Sequence, residues 1–216
     1  MAPSSAHPVE ACRQHRLVPV IAIKEADAAA DLAAALAGGG LPIVEITMRT
    51  EAAAAAMRKI ASGGAKVTLM AGTVTTPEQA QIAVDCGAEL VISPGLNTRV
   101  VEWCLKQDVP VVPGVCTPTE IEAARNYGLK YLKFFPAEAY GGVKTLKALS
   151  DVYSAFSFMP TGGINPQNLA EYLKLPVVLA CGGSWMAPGD LIHQRKFEAI
   201  QTLVKEAVAT VASLSR

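Results

Sequence analysis

Short apolar runs recur along this chain about every 20–25 residues, with helical patterns between them. This interval accommodates one strand, one helix and two short turns. The runs are continuous rather than alternating, as in parallel strands covered on both faces. The eight runs are Val18–Ile23, Ile43–Met48, Val67–Ala71, Leu90–Ser93, Val109–Val112, Tyr131–Phe135, Phe156–Pro160 and Val177–Ala180.

Eight such units predict an α/β fold, a (β/α)₈ TIM barrel with an additional N-terminal helix. A flat doubly wound sheet of eight strands is the alternative. Three predicted helix starts place an N-cap residue before a proline, at Thr76, Thr117 and Asn165. At 216 residues the chain is long enough for one such domain. We expect a helical extension over 1–16, a barrel core over 17–185 and a C-terminal helical segment over 186–216.

Composition argues against several classes of function. The 19 basic and 19 acidic residues balance, so nothing marks a nucleic-acid surface. The apolar stretches are too short to cross a membrane, and residues 1–8 lack the pattern of a signal peptide, so a cytoplasmic protein is expected. The five cysteines form no C-x-x-C pair and the three histidines lie outside the predicted strands. We therefore expect neither a metal nor a cofactor.

Lys133 is the charged residue within the sixth apolar run. Loss of hydration disfavours the ammonium form of a buried lysine, which makes its amine available as a nucleophile. The usual use of such an amine is a Schiff base with a carbonyl substrate. The alternative is a lysine whose stem lies along the sheet while its amine reaches water.

Glu45 lies within the second run and Arg49 directly follows it, so both should share one face of the strand. A buried Glu45 could shuttle protons, and Arg49 could bind a substrate carboxylate with two parallel hydrogen bonds. Glu45 could instead be only the ion-pair partner of Lys133 or Arg49, and Arg49 could be simply solvated. Thr73, after the third run, offers a hydroxyl to a carboxylate or merely forms a turn.

Paired glycines follow the last two runs, in Thr161-Gly162-Gly163 and Gly182-Gly183-Ser184. Barrels commonly expose backbone N–H groups to a phosphate after these two strands. Tight turns are the alternative explanation. A lysine imine, an arginine and two anion-binding loops suit a small phosphorylated keto acid. An imine at C2 of such a substrate withdraws electrons and so allows its C3–C4 bond to break.

These segments resemble the class I aldolases for 2-keto-3-deoxy-6-phosphogluconate (KDPG) and their 4-hydroxy-2-oxoglutarate aldolase relatives. The resemblance runs from about Leu17 to Trp185. The segments that carry it are Glu45-Ile46-Thr47-Met48-Arg49-Thr50, Ala71-Gly72-Thr73-Val74, Ile92-Ser93-Pro94-Gly95, Lys133-Phe134-Phe135-Pro136-Ala137-Glu138-Ala139, Pro160-Thr161-Gly162-Gly163-Ile164 and Gly182-Gly183-Ser184-Trp185. Two departures from the family pattern are Met48, where leucine is expected, and Tyr140, which puts the aldehyde preference in question.

The resemblance implies a role for each matching residue. Lys133 would form the Schiff base and Glu45 would transfer protons. Arg49 and Thr73 would hold the pyruvyl carboxylate. The residues implied to shape the pyruvate pocket and bind the sugar chain are Pro94, Phe135 and Thr161, and those implied for the phosphate are Gly162, Gly163, Gly183 and Ser184. It also implies a homotrimer that cleaves KDPG to pyruvate and glyceraldehyde 3-phosphate without a metal.

Other activities are compatible with parts of this pattern. The same chemistry could act on the galactonate epimer or on 4-hydroxy-2-oxoglutarate, which differ by one hydroxyl or lack the phosphate. A phosphate-binding isomerase or epimerase would use two carboxylates or a Glu/His pair, and no histidine follows a predicted strand. A barrel that only binds a metabolite would not need Lys133, Glu45, Arg49 and Thr73 together.

Overall fold

Nine short strands make up the sheets in the computed structural model, which describes residues 8–214. The strands are β1 (Leu17–Ile21), β2 (Ile43–Thr47), β3 (Thr68–Gly72), β4 (Leu90–Ile92), β5 (Val111–Val112), β6 (Gly114–Val115), β7 (Tyr131–Phe134), β8 (Ser157–Pro160) and β9 (Cys181–Gly183). Six of them form one sheet in the order β5-β4-β3-β2-β1-β9, and three form a second in the order β6-β7-β8. Every pair is parallel, which makes this an α/β fold.

Ten α-helices are described between residues 8 and 214. They are α1 (Pro8–His15), α2 (Ala29–Gly38), α3 (Ala53–Ala61), α4 (Pro77–Asp85), α5 (Thr98–Lys106), α6 (Pro118–Asn126), α7 (Gly142–Val152), α8 (Leu169–Leu173), α9 (Gly189–His193) and α10 (Phe197–Leu214). Two 3₁₀ turns cover Ala26–Ala28 and Glu138–Tyr140. One apolar core runs through strands and helices, so both faces of the strands are covered, as continuous hydrophobicity predicts.

The predicted N-terminal helix is present as α1, which buries Val9 and Cys12. The first seven residues of the predicted extension, and residues 215–216 of the C-terminal segment, lie outside the described residues. The predicted N-cap at Thr76 is confirmed, because its hydroxyl accepts a hydrogen bond from the Gln79 N–H at 3.2 Å. A capping box confirms Thr117 as the second cap.

The third predicted helix start was wrong in position. The Asn165 side chain accepts hydrogen bonds from the N–H groups of Gln167 and Asn168, at 2.9 and 3.3 Å, and thereby closes a turn. The helix α8 begins only at Leu169. Local hydrogen bonds of an asparagine side chain can thus replace the first helical turn.

The predicted eighth strand, Val177–Ala180, was also misplaced. Within it only Val178 bridges to Phe158, and the paired strand β9 starts at Cys181. Gly182 and Gly183 were expected to form a turn after the eighth strand, but they are part of β9. A Cβ at Gly182 would lie 2.4 Å from Oγ1 of Thr161, so the missing side chain lets the two backbones approach.

The fifth predicted strand, Val109–Val112, pairs only over its last two residues, and a separate short strand follows it. Val111 and Val112 pair with β4, whereas Gly114 and Val115 pair with β7. Pro113 stands between them and its carbonyl accepts a hydrogen bond from the Lys133 N–H at 2.8 Å. A Cβ at Gly114 would lie 2.0 Å from the Pro94 carbonyl oxygen, so this strand requires glycine at this position.

Candidate active site

Lys133 and Glu45 form an ion pair inside the protein. The Lys133 Nζ donates a hydrogen bond to Glu45 Oε1 at 3.1 Å, although the residues are 88 positions apart in sequence. The two side chains are 5% and 0% exposed. The amine also lies 5.4 Å from the centroid of the Phe135 ring. The lysine therefore does not reach water along the sheet, which was the alternative to a buried amine.

The second carboxylate oxygen of Glu45 has no hydrogen-bond partner in the described part of the chain. Glu45 Oε2 is fully buried and makes no hydrogen bond with residues 8–214. Burying a charged oxygen without a hydrogen bond destabilises a fold, and a buried ion pair is itself a weak source of stability. An acid or base next to a nucleophilic amine explains this arrangement better than a contribution to stability does.

Gly72 makes the position of the Glu45 carboxylate possible. A Cβ at Gly72 would lie 2.1 Å from Glu45 Oε1 and 2.7 Å from its Cγ and Cδ. In the sheet, Gly72 pairs with Thr47 and Glu45 pairs with Met70. Sequence reasoning did not identify this glycine as a site residue. Its role depends on the register of β2 against β3, which cannot be read from the sequence.

A cavity of about 300 Å³ adjoins the strands that carry the ion pair. Seven of the eleven predicted site residues line it, namely Arg49, Phe135, Thr161, Gly162, Gly163, Gly183 and Ser184. Thr47 also lines it and follows Glu45 by two residues, as Phe135 follows Lys133. Since side chains alternate along a strand, Glu45 and Lys133 share a face with these cavity-lining residues.

Arg49 provides an unpaired guanidinium at the cavity. It is exposed, lies two residues beyond the end of β2, and makes no ion pair or hydrogen bond with any described residue. Thr47, between Glu45 and Arg49, instead donates its hydroxyl to the Ile21 carbonyl at 3.1 Å, which ties β2 to β1. An anionic ligand in the cavity would therefore meet a free cation.

Thr73 and Pro94 lie at strand ends but do not line this cavity. Thr73 directly follows β3 and has a φ of 55°, a left-handed conformation that is strained for a β-branched residue. Pro94 follows β4, and the loop after it is held by the Ser93 hydroxyl, which donates to the Gly95 carbonyl at 2.8 Å. The structure thus places these two residues at the same edge of the sheets without bringing them into the cavity wall.

The glycine loop after β8 presents free backbone donors. Gly162 and Gly163 have φ values of 98° and 84°, and no described residue accepts a hydrogen bond from their N–H groups or from that of Ser184. The Gly163 carbonyl accepts hydrogen bonds from the side-chain amides of Asn165 and Asn168, at 3.1 and 3.0 Å. Successive N–H groups in such conformations form a concavity suited to an anion.

Neither of the two departures from the family pattern lines this cavity. Met48 is partly buried and packs against the core. Tyr140 is 50% exposed and does not line the cavity. Among residues 8–214 no group of three or more His, Cys, Asp or Glu side chains is placed to hold a metal ion. Of the helices described, none has the length and apolar character needed to span a membrane.

Most of the chain is similar in sequence to known aldolases. The family model for KDPG and KHG aldolase matches residues 9–203. The 2-dehydro-3-deoxy-phosphogluconate aldolase of Treponema pallidum is 46% identical over 202 residues, covering 94% of this chain and 96% of that protein. The KHG/KDPG aldolase of Escherichia coli is 42% identical over 192 residues, or 89% of this chain and 90% of that protein.

A solved structure is similarly close. The KDPG aldolase of Legionella pneumophila, with pyruvate captured as a covalent carbinolamine intermediate, superimposes with a TM-score of 0.90 at 38% identity. The match covers 94% of this chain and 98% of that one. Family match, sequence identity and structure agree over nearly the full length, so this chain belongs to the KDPG and KHG aldolase family.

Proposed function

We propose that this protein is a class I aldolase that reversibly cleaves KDPG to pyruvate and D-glyceraldehyde 3-phosphate. The observation that carries the proposal is the buried pair of Lys133 Nζ and Glu45 Oε1, 3.1 Å apart and next to a cavity with a free guanidinium. Lys133 acts as the nucleophile and Glu45 as the acid and base.

The reaction begins when Glu45 takes a proton from Lys133 and the neutral amine attacks the C2 carbonyl of the substrate. Glu45 returns this proton to the hydroxyl of the carbinolamine, which leaves as water and gives an iminium ion that withdraws electrons from the C3–C4 bond. Glu45, acting through a water, removes the proton of the C4 hydroxyl, and the C3–C4 bond breaks to release the aldehyde and leave an enamine. Protonation of the enamine at C3 and hydrolysis of the imine then release pyruvate and restore the lysine. The Legionella pneumophila relative, with pyruvate held as a carbinolamine, supports a covalent intermediate of this kind.

The remaining predicted residues bind the substrate in this proposal. Arg49 and Thr73 hold the carboxylate of the pyruvyl group, because a guanidinium and a hydroxyl both donate to it. Phe135 and Thr161 line the cavity and are assigned to the pyruvate pocket and the sugar chain, together with Pro94, which lies at the same edge of the sheets but outside the cavity lining. The residues assigned to the phosphate are Gly162, Gly163, Gly183 and Ser184. The N–H groups of Gly162, Gly163 and Ser184, which no described residue accepts, support the assignment of the phosphate.

We also propose that the two sheets close into one eight-stranded barrel, a single domain over residues 1–216. Two observations support closure. Only Pro113 separates β5 from β6, so one chain segment belongs to both sheets, and a bridge from Thr161 to Gly182 joins the end of β8 to β9. The homotrimer implied by the resemblance stays a prediction, which analytical ultracentrifugation tests by a particle of three times the chain mass. The cytoplasmic location also stays a prediction.

Turnover on the galactonate epimer and on 4-hydroxy-2-oxoglutarate is the alternative within the same chemistry. The E. coli relative is named for both KHG and KDPG, so acceptance of an unphosphorylated substrate by this chain is a reasonable second activity. The free N–H groups of the glycine loops favour the phosphorylated substrate, because they would otherwise face the cavity without a partner.

The test is to trap the imine. The protein is incubated with pyruvate and borohydride in the presence of EDTA, and the adduct is located by intact-mass and peptide mass spectrometry. We expect one reduced pyruvate adduct, on Lys133, and no adduct on the Lys133→Met variant. A folded wild-type protein that forms no adduct, or a Lys133→Met variant with unchanged turnover of KDPG, would refute the mechanism. Unchanged trapping in EDTA would support a metal-independent reaction.

A further inference from the structure

Tyr172 and Glu138 form a hydrogen bond beside the glycine loop, and neither residue has a role in the proposed mechanism. The Tyr172 hydroxyl donates to Glu138 Oε1. Tyr172 belongs to α8 and is fully buried, whereas Glu138 begins the 3₁₀ turn that follows β7. Burial, together with the hydrogen bond to Glu138, raises the pKa of Tyr172, so the hydroxyl keeps its proton and remains a donor.

The stem of the Glu138 side chain packs directly against the glycine loop. A Cβ at Gly163 would lie 2.5 Å from Glu138 Cγ and 2.6 Å from its Cβ, so the loop backbone occupies the space beside the glutamate. A Cβ at Gly142 would lie 2.8 Å from Glu138 Oε1 and 3.1 Å from the Tyr172 hydroxyl. The pair is therefore enclosed by Gly163 on one side and by the start of α7 on the other.

Backbone hydrogen bonds join the same two segments. The Ala137 N–H donates to the Thr161 carbonyl at 2.8 Å, and the Glu138 N–H donates to the Gly162 carbonyl at 3.1 Å. Glu138 lies in the turn that follows β7, five residues after Lys133 on that strand. One short piece of chain thus connects the amine to the glycine loop through main-chain and side-chain contacts.

We propose that Tyr172 and Glu138 are positioning residues that set the place of the Gly162–Gly163 loop relative to Lys133, and so the preference for a phosphorylated keto acid. The inference rests on the proposed function, since it assigns the loop to the substrate phosphate. A substrate attached to Lys133 at one end must reach the loop N–H groups at the other, so a shift of the loop weakens phosphate binding specifically.

The charge of Glu138 gives the hydrogen bond a second effect. A carboxylate next to an anion-binding loop repels a phosphate. The Tyr172 hydroxyl holds Oε1 against α8 and Gly142, which keeps the carboxylate from turning toward the loop. Removing the hydroxyl frees a negative charge, whereas removing the charge as well relieves the repulsion. Tyr172→Phe should therefore be more harmful than the double variant Tyr172→Phe with Glu138→Gln.

The experiment measures kcat and KM with KDPG and with unphosphorylated 4-hydroxy-2-oxoglutarate, and binding of inorganic phosphate by calorimetry. The variants are Tyr172→Phe, Glu138→Gln and their combination. Tyr153→Phe is the matched control, because the Tyr153 hydroxyl donates to Glu122 at 2.9 Å in another tyrosine–glutamate pair, and neither residue of that pair lines the cavity. Thermal unfolding verifies that each variant is folded.

We expect Tyr172→Phe to raise the KM for KDPG and the Kd for phosphate about tenfold, with kcat and the turnover of 4-hydroxy-2-oxoglutarate within about twofold of wild type. Glu138→Gln keeps an acceptor and should change KM by less, and the double variant should recover part of the loss. Equal losses on both substrates, or a KM no different from that of Tyr153→Phe, would overturn the inference and leave the aldolase function standing. If the wild-type protein cleaves no KDPG, but binds phosphate more tightly than the Tyr172→Phe variant does, the proposed function is refuted instead.

Discussion

Replacing Gly72 with alanine is the most direct test of how the candidate site is built. The added methyl group would lie 2.1 Å from Oε1 of Glu45, where ordinary contact begins at 3.4 Å. The carboxylate must therefore move by about 1.3 Å, the difference between these distances. Since its side chain is fully buried, such a move breaks the 3.1 Å hydrogen bond to Lys133.

The size of the effect follows from this displacement. A shift of about 1 Å in a catalytic group commonly lowers the rate about a hundredfold, which corresponds to about 2.7 kcal/mol in the activation free energy. We expect Gly72→Ala to lower kcat for KDPG cleavage by about this factor. The fold should survive, because one carboxylate can move while the β2–β3 backbone ladder is kept.

The assay is pyruvate release coupled to its reduction, with imine trapping by borohydride as a second measurement. Gly64→Ala is the matched control, because a Cβ at Gly64 meets no atom within 4 Å. Its kcat should equal that of wild type. A folded Gly72→Ala variant with kcat within about twofold of wild type would show that the Glu45 position is not critical, and would refute the reasoning.

Three further predictions concern protonation, strain and pH. Glu45→Gln should still trap pyruvate but exchange the pyruvate methyl protons with deuterium at least about a hundredfold more slowly by NMR; exchange at the wild-type rate would exclude Glu45 as the base. Thr73→Gly and Thr73→Ala should both lower kcat/KM. Because φ is 55° at this position, the free energy of unfolding in urea should be about 1 kcal/mol higher for the glycine variant than for the alanine variant. Equal stability of the two variants would argue against backbone strain at Thr73. Burial raises the pKa values of Cys12, Cys104 and Cys181 to about 12, so above pH 9 the unfolded chain loses protons that the folded chain keeps. The contribution of these thiols to the free energy of unfolding should be constant below pH 9. Between pH 9 and pH 12 it should fall by up to about 1.4 kcal/mol per pH unit for each thiol. Urea unfolding should show a smaller fall when all three cysteines are replaced by alanine.

Local chemistry in the sequence predicted several elements well. The hydroxyl and proline at Thr76 and Thr117 specify helix starts through contacts within four residues, and both caps are present. The buried state of Lys133 and Glu45 also follows from the apolar runs that contain them. Asn165 shows the limit of such reasoning, because the same residue type can close a turn instead of starting a helix.

Contacts between distant strands could not be predicted in the same way. Gly182 was expected in a turn but lies in β9, since its meaning depends on the approach of Thr161 from another strand. Gly72 was not identified at all, because its importance comes from the register that places its Cα hydrogens against Glu45. The bond between Tyr172 and Glu138 joins residues 34 positions apart and has no sequence signature.

The alternation of strands and helices, the burial of an amine and a carboxyl group, and the kinds of side chain at the strand ends can all be predicted from sequence patterns. Periodicity and capping act over a few residues, so they can be read along the chain. Sequence patterns do not show that Lys133 Nζ lies 3.1 Å from Glu45 Oε1, or that Arg49 and the Gly162–Gly163 loop line one cavity; both follow from the three-dimensional packing. Those distances depend on how parallel strands pair and on which backbones lack a side chain between them, and the packing of the whole chain sets both.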